Sequence, residues 1–186
     1  MNTISDDILE WSEKYLEPKN KHLGDVPVCP YARMARLQKR YRILEVRNHD
    51  SFIDQIVKGI EMVKDPDIQI VIVGCSDIRM EPEELASVIH AYNVVFVPQD
   101  IYLMCSHPYD EDEEEDVEFL DTDDWQPDNE FMMVLIQKFD ELEKASDNLR
   151  KTGYYDNWPK DYYEGTVLKR QSYRRYRHGK KISRPK

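Results

Sequence analysis

Glycine is scarce, with six in 186 residues. Neither GxGxxG nor GxxxxGK[ST] occurs, so a nucleotide site of the glycine-rich-loop kind has no support. Cysteine is sparse too. Cys29, Cys75 and Cys105 form an odd set without a CxxC pair, which argues against a disulfide scaffold and against a structural zinc module. No run of about 18 apolar residues is present, so a membrane-spanning helix is not expected. Met1–Glu10 has neither a basic stretch nor an apolar one, so a secretory signal is not expected either. The expected location is cytoplasmic. A GxSxG nucleophile elbow is also missing.

What the chain does contain is charge, and the charge is segregated. Lys and Arg number 26 against 37 Asp and Glu, a net −11. Lys169–Lys186 holds nine of the basic residues and no acid, so residues 1–168 carry −20 and the tail +9. Between Asp110 and Asp124, eleven of fifteen residues are acidic and none is basic. Mutual repulsion at that density opposes packing and predicts a solvated loop. The acidic stretch lacks the spacing and turn glycine of an EF-hand. Hydrophobic residues make up 40%, enough for one core at this length, with polar extensions outside it. The expected organisation is one α/β domain over 1–168 containing the loop at 110–124, followed by a basic tail over 169–186.

Apolar periodicity predicts a helix over about 6–16, a strand over 40–47 and an amphipathic helix over 50–64. The β-branched run at 68–74 predicts a strand covered on both faces. A helix over 81–92 and a strand over 94–98, running on through Tyr102 toward Cys105, come next. The stretch from Phe131 reads as one helix or as a strand into a helix. The expected fold class is α/β or α+β: a single small sheet, at least partly parallel, with packed helices. Trp158, Tyr162 and Tyr163 are expected to pack onto the body or onto a partner.

In a parallel sheet, sites form beyond the carboxyl ends of the strands. This draws attention to Cys75, Asp77 and Arg79, then to Cys105 and His107. Cys105 and His107 are two apart and in extended backbone point the same way, so with Cys75 they could share a divalent transition metal. A thiolate near an arginine is a candidate nucleophile. Against these stands the plainer reading of buried cysteine as a small hydrophobe and of histidine as hydrogen-bonded structure. Pro30 restricts Cys29 to extended backbone ahead of a helical-looking stretch. A thiol there is either reactive through the helix terminus or packed as an apolar residue. Ser106-His107 beside so many acids does not define a hydrolase triad.

Cys75-Ser-Asp77-Ile-Arg79 resembles the Cys-x-Asp-Ser-Arg element of β-class carbonic anhydrases, in which the cysteine binds zinc and the Asp-Arg pair gates it. Ile78 stands in place of the serine, and no HxxC follows to complete the ligands. That activity is therefore not expected. Cys29-Pro30-Tyr31-Ala32 and His107-Pro108-Tyr109-Asp110 resemble the Cys-Pro-Phe-Ala and His-Pro-Asp-Tyr motifs of an uncharacterised bacterial domain family, in matching order over about residues 8–145. This resemblance implies a fold and not a reaction.

Two functions from different classes are expected. One is a thiol- or metal-dependent enzyme using Cys29, Cys75, Asp77, Arg79 and His107, with Cys29 close to Cys75 or His107. The other is a non-catalytic adaptor or assembly protein that contacts protein or nucleic acid through its acidic loop and its basic tail. In the tail, Tyr173 and Tyr176 interleave with Arg174, Arg175 and Arg177, a composition suited to phosphate neutralisation and base stacking. The tail could equally fold back onto the acidic body.

Overall fold

Ile70–Cys75, an almost unbroken β-branched run, is buried at all six positions, which only a strand covered on both faces achieves. It is β4 of a computed structural model that describes residues 3–109 and 130–177. The acidic loop expected at 110–124 and the tail beyond Arg177 lie outside the described residues. The described chain forms a mixed α/β fold.

Its main sheet has four strands in the order β3-β4-β6-β5: β3 (Tyr41–Val46), β4, β5 (Ile101–Ser106) and β6 (Met132–Lys138). β3 and β4 are parallel, joined through α3 (Phe52–Met62), and β6 runs antiparallel to both β4 and β5. β3, β4 and β5 therefore share one direction with β6 inserted against it. The central place expected for β4 is observed. β1 (Lys19–Asn20) and β2 (Val26–Pro27) make a separate short antiparallel ladder.

α1 (Ile4–Trp11) starts at Thr3, whose side chain accepts from Asp6 N–H while the Asp6 carboxylate accepts from Thr3 N–H, the reciprocal cap that satisfies orphan donors. The chain continues helically through a wider turn at Ser12–Leu16. Ile4 and Ile8 pack with Ile70, Ile72 and Met133 on one face of the sheet. Gly74 permits this approach, since a Cβ there would come within 2.7 Å of the Ile4 side chain. On the other face, Phe52, Ile56 and Ile60 of α3 and Leu85 and Ile89 of α4 (Pro82–Phe96) cover Val71, Val73, Leu103, Val134 and Ile136.

The expected strand over 94–98 is not formed. Val94, Val95 and Phe96 are the last turn of α4, Val97–Gln99 is a 3-10 turn, and the strand follows at Ile101–Ser106. Asn93 decides this. It is 2% exposed, and its amide binds the backbone of Leu103 on β5, which requires the helix to reach past residue 92. Asp100, at φ 69°, then turns the chain into β5. The ambiguous stretch from Phe131 is a strand into a helix, β6 and then α5 (Phe139–Lys151).

Past α5, Tyr154 donates its hydroxyl to the carbonyls of Pro27 and Val28, the latter at 2.6 Å. Trp158 packs edge-on to Tyr155 and tilted against Tyr154 and Tyr162, so the expected aromatic cluster packs within this chain. Short helical pieces complete the described chain: α6 (Lys160–Tyr163), α7 (Lys169–Ser172) and α8 (Arg174–Arg177).

Candidate functional site

The parallel pair β3 and β4 delivers two chain ends to the same edge of the sheet. After β4, Asp77 sits where it meets the start of the segment leading into α3. Its Oδ2 accepts from His49 N–H at 3.0 Å and from Arg79 Nη2 at 2.7 Å, and its Oδ1 accepts from Arg79 Nε at 3.0 Å. Arg79 also faces Asp50 at 3.6 Å. The Asp77 main-chain carbonyl accepts from His49 Nδ1 at 3.2 Å and from the Cys75 thiol at 3.5 Å. The His49 amide, first, and the Arg79 guanidinium hold the Asp77 carboxyl below its ordinary 3.8. Burial pushes the Cys75 thiol above its ordinary 9.0, more strongly than the nearby Arg79 lowers it.

The expected Asp77–Arg79 pair is thus present, and both members tie the β4–α4 connection to the start of α3. His49 and Asp50 were not among the sequence candidates. The only local signal for them is their place just after β3, at the carboxyl end of a strand parallel to β4.

His107 follows β5 and is 3% exposed. Its Nδ1 accepts from Tyr109 N–H at 3.2 Å, so Nε2 carries the proton it donates to the Met80 carbonyl at 2.8 Å. The Tyr109 ring stands edge-on to the imidazole at 5.5 Å. The lone pair that a metal would need is already engaged.

The expected sharing of one metal by Cys75, Cys105 and His107 does not survive the strand order. Cys75 lies opposite Met132 and Cys105 opposite Val134 on the intervening β6. Two strand spacings and an offset of two residues put their Cα atoms about 12 Å apart, beyond the roughly 9 Å that two cysteine side chains and two metal–sulfur bonds of about 2.3 Å can bridge. Among the described residues, no three His, Cys, Asp or Glu are grouped so as to hold a metal.

Cys29 is not part of this edge. It precedes α2 (Ala32–Leu37), its amide binds the Leu16 carbonyl at 2.9 Å, and the preceding Val28 carbonyl accepts from the Tyr154 hydroxyl at 2.6 Å; Tyr41 is among the groups that feel its charge. Tyr41 begins β3 and pairs with Ile70, whereas Cys75 ends β4 and pairs with Val46. Five residues of strand, about 16 Å, separate the two levels. Tyr41 also faces the α1 side of the sheet and Cys75 the α3 side. Cys29 is therefore not close to Cys75, nor to His107, which follows Ser106 at the same level of the sheet as Cys75 and two strands further away. Desolvation raises the Cys29 thiol, and the Tyr31 and Ala32 N–H groups at the start of α2, which pull it down, do not win.

The first half of the basic tail is docked on the body. Along α5, Asp140, Glu143 and Asp147 fall on one face. Arg170 Nε donates to Glu143 at 2.6 Å, with side chains 5% and 9% exposed. Arg174 pairs with Glu143 and, at 3.3 Å, with Asp147. Arg177 pairs with Asp140 and, at 3.6 Å, with Asp100. Tyr173 is buried against Tyr102 and joins His90 Nδ1 through its hydroxyl at 2.6 Å. Tyr176 is part-buried on Tyr173. Of the five residues expected to bind a partner, Arg175 is the exposed one, over the Tyr176 ring at 4.8 Å. The helical spacings are in the sequence, acids three and four apart in DELEKASD and arginines four and three apart in RQSYRRYR, but nothing in it pairs the two stretches.

No family model matches the chain, and no curated protein or solved structure matches it. Among the described residues, no helix is long and apolar enough to cross a membrane.

Proposed function

We propose that this protein is a non-catalytic adaptor that binds a macromolecular partner through its charged surface. One observation supports this over the thiol or metal enzyme: the polar atoms of the Cys75, Asp77, Arg79 and His107 set are spent on links between structural elements. The Asp77 carboxylate takes three donors, from His49 and Arg79, and both ring nitrogens of His107 have main-chain partners. An active thiol is also expected to be lowered toward neutrality, whereas burial raises both Cys29 and Cys75.

Iodoacetamide kinetics near neutral pH, followed by peptide mapping, test the thiol side, and elemental analysis of the full-length protein tests the metal side. Alkylation of Cys29 and Cys75 is expected to be slower than that of free cysteine, and no stoichiometric metal is expected. Faster alkylation at either position, or one equivalent of zinc retained through dialysis, would favour the enzyme reading instead.

A further inference from the structure

α2 turns its small residues inward and its large apolar residues outward. Ala32 and Ala35 are buried against the body, while Tyr31, Met34 and Leu37 are 40%, 52% and 58% exposed. A helix that merely covers a core does the reverse. The three outward residues recur at intervals of three and so adjoin one another.

This apolar stripe sits in an island of positive charge. Residues 31–44 contain Arg33, Arg36, Lys39, Arg40 and Arg42 and no acid, in a chain of net −11. Arg36 is committed to Glu13 and Glu17. Among the described residues, no carboxylate lies within 4.0 Å of Arg33, Lys39 or Arg40. Arg40 donates instead to the Pro66 carbonyl at 3.3 Å. The arginines of the docked tail have taken acids of α5, and these cations have not.

We propose that the outer face of α2 docks an acidic peptide segment of a partner protein, one in which Glu and Asp alternate with large apolar side chains. This rests on the adaptor reading above and names its partner. The cations select acidic residues, and the stripe selects apolar ones between them. Nucleic acid fits less well, because of the three outward residues only Tyr31 offers a ring for a base to stack on. The rest of this acidic molecule would also repel a long polyanion. A short peptide meets only the local field, since charges beyond a Debye length of about 8 Å are screened at physiological salt.

The test is fluorescence anisotropy on the full-length protein with a fluorescein-labelled synthetic peptide of Glu and Asp interspersed with Leu and Phe at helical spacing. Binding is expected to weaken about tenfold or more in Met34→Ser with Leu37→Ser, and likewise in Arg33→Glu with Lys39→Glu. All four side chains are exposed, so both variants should keep the wild-type melting temperature. Raising salt from about 0.15 M to about 1 M should also weaken binding. The proposal is overturned by no binding, or by unchanged affinity in either double variant. Equal binding of a peptide with Ser in place of Leu and Phe, or tighter binding of poly(U) RNA, overturns it too. Self-association that disappears in Met34→Ser with Leu37→Ser would assign the face to a second copy of this chain and overturn it as well. Each of these failures leaves the alkylation and metal measurements standing, so the adaptor reading is judged separately.

Discussion

Asn93 holds both backbone groups of Leu103: its Oδ1 accepts from the Leu103 N–H at 2.8 Å and its Nδ2 donates to the Leu103 carbonyl at 2.9 Å. Among the described residues β5 is an edge strand, paired on one side with β6. Asn93 supplies in the middle of its other side what a neighbouring strand would supply. Unpaired edge groups are templates for another chain, and here a helix side chain takes the place.

Asn93→Leu should therefore cost about 2–4 kcal/mol, because a buried N–H and a buried C=O lose their partners together. Thermal melts measure the cost. Concentration-dependent association by light scattering should rise in the same variant as the β5 edge opens. A variant that melts with the wild type would mean that water replaces the amide without penalty.

Arg170 and Arg174 share the Glu143 carboxylate from different environments, with side chains 5% and 41% exposed. Arg170→Met is expected to destabilise by about 3 kcal/mol, since it strips a buried acid of its buried partner. Arg174→Met should cost about 1 kcal/mol or less, as exposed pairs do. Denaturant titrations of the two variants compare them directly. The difference matters for the tail as a whole. Deleting Lys169–Lys186 would remove buried Tyr173 and Arg170 together, so the stretch up to Arg177 belongs to the fold.

Glu17 links the turn after α1 to α2, accepting from Arg36 Nε at 2.7 Å and Arg36 Nη2 at 2.8 Å. The Arg36 guanidinium is the largest cause holding the Glu17 carboxyl below its ordinary 4.5. A group depressed by folding stabilises the fold above its ordinary value and loses that contribution as pH falls through the folded value. Glu17→Gln should accordingly melt below the wild type at neutral pH, with the gap closing as pH drops below 4.5. Melts recorded across that range check the sign. A gap that widens on acidification would refute it.

Local pattern was enough for β3, β4 and α3, because a β-branched run or an apolar stripe at helical spacing states its burial whatever it packs against. It was also enough for the Asp77–Arg79 pair, whose members are two residues apart. It failed at Val94–Phe96, where β-branched residues finish a helix, because the deciding contact runs from Asn93 to Leu103 across the turn that follows. The fate of His107 was equally hidden, since the Met80 carbonyl that engages its Nε2 lies 27 residues away. The tail's arginine spacing was legible, but its destination on α5 was not. The order of residues determined the separation of charge along the chain. The tertiary structure decided which charges meet: it brought α5 beneath Arg170, Arg174 and Arg177, and it left Arg33 on α2 and Lys39 and Arg40 just past its end, with no carboxylate of the described residues within 4.0 Å. Attraction between side chains is short-ranged in salt water, and sequence distance carries no information about which of them the fold brings within that range.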